Sequence, residues 1–160
     1  YSVASPFASA IALVQTGYSG GAWTGNGLTS SSAQSAAATT DRTGLAIVEA
    51  GELFPSFPQE FSGQSIDSTT VLLVYTLVGD ANLDRTVGIA DFSALGANFN
   101  TSGRWNRGDF NYDLIVGIGD FSLLAANFNK TLPAATARSV PEPAAIVLVT
   151  VAGLLGVRRR

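Results

Sequence analysis

GDANLDRTVGIADFSALGANFN, residues 79–100, returns 29 residues later as GDFNYDLIVGIGDFSLLAANFN, residues 108–129, with 15 of 22 positions identical. A repeat of this kind marks one supersecondary unit used twice. The positions that survive are chemically selective. Asp80, Asn82, Asp84 and Asp91 in the first copy become Asp109, Asn111, Asp113 and Asp120 in the second.

D-x-N-x-D with a further acid seven residues on is the spacing of a twelve-residue calcium loop. Alternate positions 1, 3 and 5 turn side-chain oxygens toward one centre, position 7 supplies a backbone carbonyl, and position 12 brings an acid from the first turn of a helix. The candidate ligands are therefore Asp80, Asn82, Asp84, Thr86 and Asp91, and then Asp109, Asn111, Asp113, Ile115 and Asp120. Calcium takes six to eight oxygens, so the expectation is one ion per loop. Val87 and Val116, at position 8, are expected to join the two loops in a short β-contact. Beyond each loop, Phe92, Leu95 and Phe99, then Phe121, Leu124 and Phe128, recur at helical spacing and are expected in the core. Metal loops and core would then fold as one unit.

Two substitutions weaken the expected affinity. Position 6, where a sharp turn favours Gly, is Arg85 in one loop and Leu114 in the other; a left-handed backbone there costs a non-glycine residue about 1–2 kcal/mol. Position 9 is Gly88 or Gly117, so a ligand at that corner must be water. The expected affinity falls in the micromolar to millimolar range. The competing reading is a decayed repeat that keeps its helices without binding metal.

The pair of loop-helix units, with no full helix before each loop, resembles the type I dockerin family over residues 79–129. The stretches VYTLVGDANLD and GDFNYD also look like a C-terminal module of large exported bacterial surface proteins. In dockerins, cohesin is met by positions 10 and 11 and by the following helix. Here those positions are Ile89-Ala90 and Ile118-Gly119, with Gly96-Ala97 and Ala125-Ala126 on the helices. The usual hydroxyl and basic contacts are missing, so the resemblance does not extend to cohesin binding.

Composition narrows the chemistry further. With no His and no Cys, histidine-dependent triads, thiolate nucleophiles, disulfides and zinc sites built on those residues are excluded. A hydrolase would need two convergent carboxylates outside the loops, and Asp41, Glu49, Glu52, Glu60 and Asp67 are scattered without a motif; the expectation is no enzyme. The net charge is −3, and residues 141–160 contribute +2 (three Arg less Glu142), which leaves −5 for the remainder. That acidic body argues against nucleic acid, which requires clustered Lys or Arg.

The expected fold is α+β, with a Gly/Ser-rich helix and strand region over residues 1–78, the tandem repeats over 79–130, a linker over 131–140, and a single hydrophobic helix in a tail over 141–160. Within the first region, residues 5–17 are expected as a helix with Ser5 as N-cap, Pro6 at its first position and Gly17 at its end. Residues 18–40 are expected as loops anchored by Trp23. Residues 44–48 and 70–78 are expected as strands, the second so continuously apolar that it implies burial on both faces or an unseen partner. The Phe54-Pro55, Phe57-Pro58 and Phe61 stretch is expected as a packing loop. No Met occurs, even at position 1, so the expectation is a piece or processed product of a longer chain.

The tail joins Pro141-Glu142-Pro143 to an apolar run over residues 144–157 and to Arg158, Arg159 and Arg160. As a helix the run would be roughly 21 Å long, short of a hydrocarbon core of about 30 Å. Motif, run and basic end in this order resemble the PEP-CTERM sorting signal. The resemblance implies export across the inner membrane, brief membrane insertion, recognition by an exosortase, and delivery to the cell surface or extracellular matrix. A simple tail anchor is the alternative. The expected role is a non-catalytic, calcium-stabilised module of an exported surface protein, with a surface polysaccharide or another surface protein as candidate partner. The alternative is a structural subunit that self-associates into a fibre or lattice.

Overall fold

The apolar run at 70–78 finds its partner in the run at 44–48. In the computed structural model, which describes residues 5–133, β1 (Thr43–Glu49) and β4 (Val71–Leu77) pair antiparallel, with Leu45 opposite Tyr75 and Ile47 opposite Leu73. Burial differs from expectation. It is β1 that is enclosed on both faces, because helices α1 (Phe7–Tyr18) and α2 (Ser31–Ala36) and a 3-10 turn at Trp105–Arg107 pack against it. Strand β4 turns Leu73 and Tyr75 outward, 44% and 37% exposed. Between these strands lie a short helix α3 (Ala50–Leu53) and a hairpin of β2 (Gln59–Phe61) and β3 (Gln64–Ile66). Phe54, Phe57 and Phe61 pack there on Ala50, Ile66 and Leu72, the packing role expected of them.

The N-terminal helix starts later than expected. Ser5 Oγ accepts from Phe7 N–H at 3.2 Å, while Pro6 occupies the cap position rather than the first helical one. Gly17 does not end the helix, which runs on to Tyr18 and leaves through Ser19 in a left-handed conformation, φ 46°. Gly17 is instead needed for close approach, since a Cβ there would lie 1.9 Å from the Leu28 carbonyl oxygen. The following stretch is more regular than its composition suggested. Ser30 Oγ accepts from Ala33 N–H at 3.1 Å and caps α2. Trp23 is buried, as an anchor should be.

Each acidic loop runs into a short helix, α4 (Ile89–Ala97) and α5 (Ile118–Asn127). Contrary to expectation, Val87 and Val116 do not pair with each other. Val87 N–H donates to the Lys130 carbonyl at 3.0 Å, and its own carbonyl accepts from Asn129 N–H at 2.8 Å. Val116 repeats this with Thr101 at 2.9 Å and Asn100 at 2.8 Å. Each loop therefore pairs with the segment leaving the other repeat's helix, and the two units are interlocked rather than stacked. Gly79 and Gly108, at φ 109° and 108°, make the exchange sterically feasible. A Cβ on Gly79 would meet the Leu124 backbone at 3.0 Å, and one on Gly108 the Leu95 backbone at 2.8 Å.

The phenylalanine stripe also departs from expectation. Leu95 and Leu124 are buried, but Phe92, Phe99 and Phe121 are 43%, 41% and 38% exposed, and Phe128 is only partly covered. The inner face of α4 is Asp91 and Leu95, and that of α5 is Asp120, Leu124 and Asn127. Turning the position-12 acid inward rotates the adjacent Phe outward by about 100°. Phe99 lies past the end of α4 and off the helical face altogether.

One core runs from the N-terminal region through both repeats, with Val14, Trp23, Ala46, Val48, Trp105, Phe110 and Tyr112 among its members. Tyr112 packs edge-on against Tyr18 and Trp23 and donates its hydroxyl to the Leu45 carbonyl at 3.0 Å. Asn127, fully buried, donates to the Arg42 and Val78 carbonyls at 2.7 Å and accepts from Arg42 N–H at 3.2 Å. Arg104 bridges Glu49 at 2.6 Å and Glu52 at 3.1 Å, and Lys130 bridges Asp41 at 2.8 Å; partly exposed pairs of this kind contribute little individually. Two small antiparallel sheets and short helices, one of them (α3) between β1 and β2, make an α+β arrangement. The expected C-terminal helix and the Pro141-Glu142-Pro143 motif lie outside the described residues.

Removing the Asn127 side chain takes away the partner of the buried Val78 carbonyl and of Arg42 N–H, whereas its repeat counterpart Asn98 bonds only the Ala94 carbonyl of its own helix, at 2.7 Å. Asn127→Ala is expected to cost about 2–4 kcal/mol and Asn98→Ala under about 1 kcal/mol, as read from urea denaturation midpoints.

Candidate metal centre

The acid at position 12 does two jobs in each repeat. Asp91 Oδ1 accepts from Ala81 N–H at 2.8 Å and Asn82 N–H at 3.2 Å, while Oδ2 accepts from Gly88 N–H at 2.8 Å at the start of α4. Asp120 does the same with Phe110, Asn111 and Gly117, at 2.8, 3.1 and 2.8 Å. Each carboxylate thus caps its helix and closes its loop, which is why both are buried without an ion pair to any cationic side chain among the described residues.

The remaining ligand candidates fold each loop onto itself. Asn82 Oδ1 accepts from Asp84 N–H at 2.9 Å, and its Nδ2 donates to Asp84 Oδ2 at 2.9 Å. Asn111 and Asp113 repeat both contacts at 2.9 Å. At position 7, Thr86 and Ile115 N–H donate to Asp84 and Asp113 Oδ1, each at 2.8 Å. Arg85 and Leu114 adopt the left-handed conformation that position 6 requires, with φ 75° and 69°. Both carry the steric cost foreseen for a non-glycine residue there. Leu83 and Tyr112, at position 4, are left-handed as well, with φ 62° and 61°.

The loops differ at position 1. In the second, Asp109 is buried, Oδ2 accepts from Leu114 N–H at 3.0 Å, and Oδ1 has no hydrogen-bond partner among the described residues. Oxygens of Asp109, Asp113 and Asp120 lie within 4.8 Å of one another, a set that could hold a metal ion. In the first loop both oxygens of Asp80 are engaged: Oδ1 by Asp84 N–H at 3.1 Å, and Oδ2 by Arg85 N–H at 3.0 Å and by the Thr76 hydroxyl. Among the described residues, Asp80, Asp84 and Asp91 do not form a comparable cluster.

The orphaned, buried Asp109 oxygen among three carboxylates fits a hard cation, whose charge would offset their repulsion. Without one, burial followed by the charge of Asp120 pushes Asp109 up to about 7, and burial pushes Asp80 up to about 6. Burial raises Asp120 as well.

Thr76 and Trp105 were not singled out as site residues from the sequence, although they stand at the same 29-residue offset as the repeats. Thr76 donates to the Asp80 carboxylate, while Trp105 Nε1 donates to the Asp80 carbonyl at 2.7 Å. The offset was the available signal, but both residues precede the matched stretches and differ chemically. Comparison of the chain with protein-family models, curated proteins and solved structures finds no match.

In cation-free buffer the folded protein holds protons on Asp80 and Asp109 that the unfolded chain, with carboxyls near 4, has released. The contribution of these two carboxyls to stability therefore falls as pH rises from about 4 to about 7. With chelator present, the melting temperature is expected to be lower at pH 7.5 than at pH 5. Asp109→Asn flattens this dependence in calorimetric scans.

Proposed function

We propose that the chain is a non-catalytic module of an exported protein, stabilised by calcium in both acidic loops and addressed to the cell surface or extracellular matrix by its C-terminal tail. The observation that carries the calcium reading is the buried, unpartnered Asp109 oxygen beside Asp113 and Asp120. Asp113, Asn111 and Asp120 would complete the second site, and Asp80, Asn82, Asp84 and Asp91 the first, with Thr86 and Ile115 offering carbonyls. Calcium suits this all-oxygen donor set better than magnesium, which demands a stricter octahedron. The bound ions would supply positive charge where each loop, helix and core meet. Tyr112 sits within the second loop and inside the shared core, so loop order would pass to the N-terminal region, and the module would hold what is attached to it.

The non-catalytic reading is supported by the engagement of four of the five acids outside the loops among the described residues. Glu49 and Glu52 meet Arg104, Asp41 meets Lys130, and Asp67 is occupied by Thr69 and Thr70. The surface assignment rests on the resemblance of residues 141–160 to an exosortase-processed tail. The dockerin resemblance supports the loop chemistry and not cohesin docking. A surface polysaccharide or another surface protein is the proposed partner.

Calcium is expected to raise the melting temperature at pH 7.5, and Asp84→Ala combined with Asp113→Ala to abolish the rise. Both side chains are exposed, so the double variant retains its core. Equal melting of the unmodified protein in calcium and in chelator would overturn the reading.

A second reading, self-association into a surface assembly, is favoured by the outward apolar residues Ile89 and Ile118, 70% and 71% exposed, beside Phe92 and Phe121. It predicts concentration-dependent growth in sedimentation velocity that is reduced by Phe92→Ser with Phe121→Ser. A monomer at high concentration excludes it.

A further inference from the structure

The repeat aligns Asp80 with Asp109, yet their surroundings are opposite in kind. Asp109 keeps one oxygen for the backbone, through Leu114 N–H at 3.0 Å, and its other oxygen is buried and unpartnered. Asp80 has no such oxygen. One takes Asp84 N–H at 3.1 Å, and the other takes both Arg85 N–H at 3.0 Å and the Thr76 hydroxyl. Thr76 is itself buried on β4, with Gly44 opposite it in the sheet. At the equivalent place before the second loop stands Trp105, whose only side-chain donor is committed to the Asp80 carbonyl at 2.7 Å.

We propose that the two loops are unequal cation sites, that the second loop fills first, and that Thr76 sets the difference by competing with the cation for Asp80. The proposal rests on the calcium reading above and adds an order and a controlling residue to it. A cation entering the second loop meets a desolvated oxygen that no donor among the described residues reaches at hydrogen-bond distance. In the first loop it must draw on a carboxylate whose charge is shared with a hydroxyl and two backbone N–H groups. A hydrogen bond to a charged group is worth roughly a tenfold change in an equilibrium constant, or more. Thr76 acts as a positioning residue, because it touches the ligand rather than the ion.

Calcium chloride titrated calorimetrically into single-loop variants of the full chain tests this directly. Asp84→Ala leaves the second loop and Asp113→Ala leaves the first; the second loop is expected to bind about tenfold more tightly. Adding Thr76→Val to Asp113→Ala should tighten the first loop by a similar factor. Thr76→Ser, which keeps the donor, should restore the weaker binding. Equal constants, the reverse order, or a folded Thr76→Val protein with unchanged affinity would each overturn the proposal while leaving calcium binding intact. Absence of binding in the unmodified protein would instead remove the calcium reading, and this proposal with it. Should Thr76→Val fail to fold by circular dichroism, Thr76→Ala removes the same donor from a smaller side chain and is judged by the same criterion.

Discussion

Asp91 and Asp120 each gather three backbone N–H groups, two from the start of their own loop and one from the residue preceding their helix. Burying a carboxylate without a cationic partner is costly unless hydrogen bonds compensate, and these six bonds make the buried position tenable. Much else follows from that inward turn. The acid and the leucine four residues on define the buried face of each helix, and the intervening geometry sends Phe92 and Phe121 to the surface, where they meet edge to face at 6.2 Å.

The chain leaving each helix crosses to the opposite loop. Because Val87 pairs with residues 129 and 130 and Val116 with residues 100 and 101, neither repeat is complete without the other. The N-terminal region is tied to this interlocked pair through polar contacts on backbone carbonyls, notably Tyr112 to Leu45 and Asn127 to Arg42 and Val78. The Tyr112 bond is directional and set among aromatic rings, so a change in the second loop has a mechanical route to β1.

Much of the candidate site was legible in the sequence, since alternate acids at fixed spacing can be counted. The left-handed turn at Arg85 and Leu114 was legible for the same reason. The two main strands were evident from their β-branched and aliphatic runs, but not their relative burial. An apolar run looks alike whether its outer face is covered or bare, and what decides is how many neighbouring elements arrive on it. The outward phenylalanines were missed because helical periodicity identifies a stripe without fixing its rotation. The short helix α2 was missed because Ser and Ala are as compatible with a loop as with one capped turn.

By itself the sequence determined that two acidic loops of one design occur in tandem, each leading into a helix, with no histidine or cysteine chemistry available. Covalent spacing is enough for that, because positions 1, 3, 5 and 12 are counted along a single chain. Only the tertiary structure decided that the loops exchange partners and share a core with the N-terminal strands. It alone revealed that the two copies of one ligand set differ in environment. The physical reason is distance along the chain: Tyr112 meets Leu45 across 67 residues and Asn127 meets Arg42 across 85. Thr76 and Trp105 acquire their roles only when folding brings each beside Asp80.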